Sequence, residues 1–168
     1  MTNMEIRVEK IGASEIEIIR SLAYEIWPEA YKFILKQDQI NYMLEQMYSI
    51  VHLENDVKNG VQYFVAYEGK EPVGFAGAAL EYEPHVLQLH KIYVLPRLKG
   101  TGVGKKLLIN VRGWGLEHQQ KYIRLTVNRN NKEAIGFYQK QGFTILESVD
   151  VAIGNEYYMN DYIMKVHL

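Results

Sequence analysis

Hydrophobic and polar positions along this chain follow two periods, and the period changes in a fixed order. From Ser14 to Ile26 apolar residues recur at helical spacing, with Ile16, Ile19, Leu22, Ala23 and Ile26 forming one stripe. Ser14-Glu15-Ile16-Glu17 has the form of a capping box at its start, and Trp27-Pro28 is expected to interrupt it. Ile40, Met43, Leu44 and Met47 predict a second helix over 38–50, with a short helical turn over 53–59. Residues 5–8 read as a short first strand. After residue 60 the period shortens. Strands are expected over 61–67, 73–82 and 86–94, with turns at Glu68-Gly69-Lys70 and Pro84-His85. A helix over 103–119 turns Leu107, Leu108, Val111 and Leu116 inward. A strand over 122–127 and a helix over 131–141 follow, and Gly142 sits where a left-handed C-cap belongs. Strands over 143–152 and 157–166, joined through Gly154-Asn155, close the chain. Hairpins and βαβ crossings in this order imply an α/β (α+β) fold, a mixed sheet of about seven strands with helices on both faces.

Composition narrows the class. At 168 residues the chain reads as a single domain over 1–168, large enough to bury a core. A net charge of −1 offers no basic stripe for nucleic acid. The absence of cysteine excludes disulfides, thiolate metal sites and a cysteine nucleophile. No apolar run is long enough to span a membrane, and Met1 to Arg7 lacks a signal-peptide core, so a cytoplasmic protein is the expectation. Thirteen tyrosines leave room for a tyrosine-rich pocket.

The run from Ile92 to Leu108 carries the clearest chemistry. A β-branched and aromatic strand, Ile92-Tyr93-Val94, ends at Leu95-Pro96. Gly100, Gly102 and Gly104 follow at alternate positions around Thr101, Val103 and Lys105, and a helix begins at once. Glycine lets the backbone approach a ligand, and a helix N-terminus offers unpaired N–H groups, so the arrangement suits a phosphate or pyrophosphate. The Walker A pattern fails, because Lys99 stands where its first glycine belongs and Lys106 where its hydroxyl belongs. The dinucleotide pattern fails at Lys105.

The loop resembles motif A of the GNAT N-acetyltransferases, Gln/Arg-x-x-Gly-x-Gly/Ala. Arg97-x-x-Gly100-x-Gly102 fits literally; Lys99-x-x-Gly102-x-Gly104 fits with lysine at the first position and is preferred, because it places Pro96 and the helix where that family has them. Downstream, Asn131-Lys132-Glu133-Ala134-Ile135-Gly136-Phe137-Tyr138-Gln139-Lys140-Gln141-Gly142-Phe143 resembles the family's Asn-x-x-Ala-x-x-x-Tyr-x-x-x-Gly-Phe. Leu89 to Pro96 and Asp161-Tyr162-Ile163-Met164 are similar to a polyamine-acetyltransferase-like branch. The resemblance covers residues 60–168 and is weak over the first 55.

The resemblance implies transfer of an acetyl group from acetyl-coenzyme A to an amine, with no metal. Lys99, Gly100, Thr101, Gly102, Val103, Gly104 and Lys105 would hold the pyrophosphate, and Ile92, Tyr93 and Val94 would pair with the pantetheine arm, an N–H near Val94 serving the oxyanion. Asn131 and Ala134 would contact the coenzyme, Asn131 serving equally as a helix N-cap. Tyr138, on one helix face with both, would be the general acid, since a tyrosine with a pKa of about 10 keeps its proton at neutral pH. Where many relatives carry a glutamate base, this chain has Gln88. His90, Glu81, Glu83 and His85 are nearby candidates, and no base is assigned. Trp27, Glu29 and Tyr31, in the connection after the first helix, suit a cationic amine or simply pack the loop. Gln88 and His90 complete the acceptor candidates.

The acceptor implied is a small amine, a polyamine or a peptide N-terminus, and a homodimer is left open. Two other readings stand beside this one. A non-catalytic acyl-coenzyme A sensor on the same fold is motivated by the missing glutamate. A small-molecule kinase is disfavoured by the failed Walker register.

Overall fold

The strands Gln62–Glu68 (β2) and Glu71–Glu83 (β3) are apolar at consecutive positions, and burial explains why: Tyr63 through Tyr67 and Val73 through Ala78 are all buried. A strand covered on both faces needs helices on both sides of its sheet. The computed structural model describes residues 5–168, so Met1 to Met4 of the leader reading lie outside the described residues. The remaining strands are Ile6–Ile11 (β1), Val86–Val94 (β4), Tyr122–Asn128 (β5), Thr144–Gly154 (β6) and Tyr157–His167 (β7). They form one mixed sheet of seven strands in the order β1-β2-β3-β4-β5-β7-β6. β4 and β5 pair in parallel, and the other neighbours are antiparallel.

Helices Glu17–Tyr31 (α1), Gln37–Tyr48 (α2) and Ile50–Lys58 (α3) precede the sheet's centre in the chain. α1 and α2 cover one face through an aromatic cluster. Trp27 packs on Tyr48 and Tyr93 with centroids 5.6 Å apart in each case, and Tyr48 edges Phe75 at 6.0 Å. Helices Val103–Glu117 (α4) and Lys132–Lys140 (α5) lie on the other face. Trp114 of α4 edges Phe64 of β2 at 5.9 Å, and Arg112 donates to the Gln141 carbonyl at 2.6 Å, tying α4 to the end of α5. Among the described residues no helix is long and apolar enough to cross a membrane.

Four local expectations are corrected. Ser14 forms no capping box. It lies in a 3₁₀ turn, Ala13–Glu15, and α1 grows directly from Ile16, whose carbonyl accepts from Ile19 and Arg20. Pro28 does not interrupt α1, which continues to Tyr31. Trp27 and Tyr31, 1% and 6% exposed, anchor the helix on both sides of the proline and outweigh its lost hydrogen bond. The helix expected over 38–50 ends at Tyr48, because Ser49 turns extended and caps α3 by accepting from the His52 N–H. Leu116 points to solvent instead of the core. Gly115 takes the inward position, where a Cβ would stand 3.0 Å from Leu87 and 3.1 Å from Leu168.

Candidate active site

A bulge of one residue in β4 shapes the site. Gly77 lies opposite Lys91 and Ala78 opposite Leu89, so His90 has no counterpart on β3. A bulge bends its strand and increases its twist. On the other side, β4 pairs with β5 from Val86↔Tyr122 to Leu89↔Leu125, and the ladder ends at the residue before the bulge. β4 runs on to Val94 and β5 to Asn128 without pairing. The strands part as a wedge, and the edge of Ile92-Tyr93-Val94 that faces β5 has no strand partner among the described residues. Backbone N–H and C=O groups are obligate hydrogen bonders, so such an edge accepts an extended amide-bearing chain as an added strand.

The wedge opens into a cleft of about 1100 Å³. The glycine loop stands at one end. Gly102 is the N-cap of α4 with φ +91°, and Gly100 has φ +75°, left-handed values that explain glycine at both positions. The ladder of α4 begins at Lys106, whose N–H donates to the Gly102 carbonyl at 3.0 Å. The amides of Val103, Gly104 and Lys105 precede it at the positive end of the helix dipole. Gly104 serves packing: a Cβ there would lie 3.4 Å from the Phe137 ring of α5. Lys99 reaches across to Glu133 at 3.3 Å.

At the other wall stands Tyr138. α5 begins at Asn131, whose side chain accepts from the Ala134 N–H at 3.2 Å, a true N-cap. Asn131, Ala134 and Tyr138 all line the cleft. Tyr138 packs its ring on Phe143 at 5.5 Å and makes no side-chain hydrogen bond among the described residues. Burial, and Tyr31 nearby, push its hydroxyl pKa up, so it holds its proton at neutral pH.

Residues 17–143 match the acetyltransferase (GNAT) family. This chain belongs to the GNAT family. It is 24% identical over 147 residues to the spermidine N(1)-acetyltransferase of Thermoplasma acidophilum, covering 84% of this chain and 90% of that one. An uncharacterised N-acetyltransferase of Archaeoglobus fulgidus is 31% identical over 125 residues, 71% of this chain and 79% of that one. The crystal structure of PaiA N-acetyltransferase from Thermoplasma acidophilum in complex with coenzyme A shares the fold, with a TM-score of 0.84 at 22% identity over 98% of this chain and 100% of that one. The protein is thus an acyl-coenzyme A-dependent N-acetyltransferase.

The cleft of this GNAT enzyme gathers nearly every residue singled out in the sequence. Trp27, Tyr31, Gln88, His90, Ile92, Tyr93, Val94, Lys99, Gly100, Gly102, Val103, Gly104 and Lys105 line it. Thr101 does not; its hydroxyl turns back to the Leu98 carbonyl. Trp27 and Tyr31 belong to the last turns of α1, not to an interhelical connection, and Tyr31 shares a hydroxyl–hydroxyl bond of 2.9 Å with Tyr93. Burial raises the Tyr31 pKa to about 12. Glu29 is absent from the wall and pairs with Lys32 at 2.9 Å.

The candidate bases separate in the same way. Glu81, Glu83 and His85 lie off the cleft, and the Glu81 carboxylate is occupied by Gln120 at 2.7 Å and the His85 N–H at 3.0 Å. Gln88 is buried and accepts from Arg124 at 2.8 Å. His90 lines the cleft with its side chain exposed. Desolvation there, and Lys91 beside it, lower its pKa, which keeps it neutral at pH 7.

Two residues of the cleft region had no role assigned from the sequence. Lys91 is 6% exposed, and its Nζ donates to the Tyr63 hydroxyl at 2.9 Å and to Asp56 at 3.3 Å. Simple alternation turns it to the face opposite Gln88; the bulge reverses that parity. Gly77 makes room for the arrangement, since a Cβ there would lie 2.8 Å from the Tyr63 ring. Asp161 of β7 also lines the cleft, 7% exposed, and its Oδ1 has no hydrogen-bond partner among the described residues. It stands fifth of the eleven residues of β7, between Asn160 and Tyr162.

Proposed function

We propose that this enzyme moves an acetyl group from acetyl-coenzyme A to a primary amine by direct attack. The observation that carries this is the wedge between β4 and β5, with the glycine loop at one end and the Tyr138 hydroxyl inside. The amides of Val103, Gly104 and Lys105, with the Lys99 and Lys105 ammonium groups, suit a pyrophosphate. The free edge of Ile92-Tyr93-Val94 suits the pantetheine amides, and an N–H near Val94 would face the carbonyl oxygen as charge develops on it. The amine nitrogen bonds to the carbonyl carbon, the carbon–sulfur bond breaks, and Tyr138 gives its proton to the departing thiolate.

The acceptor enters from the side of the cleft lined by Trp27, Tyr31, Tyr42 and Met43. A small amine or polyamine is the favoured class, because these walls are aromatic and apolar and one relative is named for spermidine. The test is thiol release from acetyl-coenzyme A across amines, polyamines and peptides; the chain has no cysteine to add background. Release that requires one amine class supports the reading. Tight coenzyme binding with no release on any amine would replace it with the non-catalytic sensor, for which the glutamine at 88 is the argument.

A further inference from the structure

We propose that Asp161 is the acceptor anchor and the proton acceptor of this site, holding the reacting ammonium group and taking a proton from it before attack. The assignment rests on the amine-acetylation reading above and names the residue that selects a cation.

The carboxylates on the cleft wall are those of Glu133 and Asp161. Glu133 stands at the glycine loop and is tied to Lys99. Asp161 keeps a buried oxygen without a partner. An unmet buried acceptor is costly, more so when charged, and a site that retains one is complete only when a donor arrives. The cation that acts on it is already engaged. Arg129 donates to Asp150 at 2.7 Å, to the Val149 carbonyl at 3.3 Å and to the Ser148 hydroxyl, and so bridges β6.

Its position is that of a reacting group. Asp161 lies opposite Asn128 on β5 and Val149 on β6, beyond the point where β5 has left β4. Its charge is felt at the Tyr31 hydroxyl, and Tyr31 is felt in turn at Tyr138. The carboxylate, Tyr31 and the candidate general acid all line the one cleft. Met43, Ile153 and Met159 line this cleft with Trp27 and Tyr31. One carboxylate among rings and thioethers suits a primary ammonium on an apolar stem. Burial raises the Asp161 pKa above the ordinary carboxylate value, with Arg129 opposing, which makes it a better proton acceptor than an exposed aspartate.

The protons balance. The ammonium gives one proton to Asp161 and becomes a neutral amine. The amine forms the carbon–nitrogen bond, the carbon–sulfur bond breaks, and Tyr138 protonates the sulfur. The second nitrogen proton returns to the Tyr138 oxygen, and Asp161 releases its proton to solvent. The products are an amide, free thiol and one proton.

The experiment is calorimetric titration of coenzyme A-saturated protein with n-butylamine and with spermidine, beside thiol release. Asp161→Asn should weaken amine binding by about 10- to 100-fold, the worth of a hydrogen bond to a charged group, and leave coenzyme A affinity unchanged. Asp161→Glu should recover part of the binding. Amine affinity in Asp161→Asn equal to the wild type overturns the assignment, as does a wild type that binds neither amine. Wild-type binding that is lost in the variant, with no thiol released by either, upholds the anchor and removes acetyl transfer instead.

Discussion

Gln88 and Arg124 face one another across the parallel pair β4–β5, and the Arg124 guanidinium donates to Gln88 Oε1 at 2.8 Å. The relationship bears on what a carboxylate base would meet at this position. A carboxylate at 88 would meet the same guanidinium in a charge-assisted pair, and a nearby cation holds a carboxyl below its ordinary range. Gln88→Glu should therefore give no gain in thiol release, and NMR titration should find the new carboxyl below the ordinary glutamate value of about 4.3. A tenfold rise in turnover would show that position 88 can act as a free base after all.

Tyr138 is held by ring packing and leaves its hydroxyl to the cleft. Removing that oxygen should cost turnover without disturbing the coenzyme. Tyr138→Phe is expected to lower kcat by about 100-fold, the usual scale of a single proton-transfer group, with coenzyme A affinity unchanged by calorimetry. Equal turnover in the variant would remove Tyr138 from the mechanism.

Gly102 has φ +91° with open space around its Cβ position. A branched side chain is strained there by its backbone, and it would stand over the first amides of α4. Gly102→Val should cost about 1–2 kcal/mol of stability and should abolish measurable coenzyme A binding while the circular dichroism of the fold survives. Unchanged calorimetric affinity would place the pyrophosphate elsewhere.

Asp161 makes a prediction about stability as well as activity. Its folded pKa is raised above the ordinary value of 3.8, so the folded chain holds this proton to higher pH than the unfolded chain does. Stability is then lost as pH rises from the unfolded pKa through the folded one, and the ionised group is a net cost at pH 7. Asp161→Asn should melt higher than the wild type at pH 7, by about 2–4 °C for each kcal/mol relieved, and the gap should close below pH 3.8 where the aspartate is neutral too. A variant that melts lower at pH 7 would mean that the carboxylate is paired. Gained stability beside lost activity is the usual mark of a functional group that the fold tolerates rather than needs.

The succession of strands and helices, the glycine loop and the face carrying Asn131, Ala134 and Tyr138 were all legible in the residues, because each has a steric or periodic requirement. Left-handed φ at 100 and 102 demands glycine, and a helix repeats its face every turn. The bulge at His90 was not legible. Leu-Gln-Leu-His-Lys-Ile alternates like a plain strand, and no glycine or proline marks the extra residue. Everything that depends on the bulge was hidden with it: the parting of β4 from β5, and the inward turn of Lys91. Pro28 misled for the opposite reason. Its local rule is sound, but Trp27 and Tyr31 bury enough apolar surface around it to hold the helix. Asp161 carries no periodic signature, since a buried acid on a strand is recognised only once its neighbours are known.

The seam between β4 and β5 consists of four residue pairs, from Val86↔Tyr122 to Leu89↔Leu125. Strands β1 to β4 on one side and β5 to β7 on the other communicate across the sheet through that seam alone among the described residues. Any molecule that lies in the gap and touches both sides lengthens the seam. It binds the folded chain and not the unfolded one, so it raises stability in proportion to the logarithm of its concentration. Occupancy and the cooperativity of unfolding are thereby coupled, and the protein is most firmly one body while its co-substrate is bound.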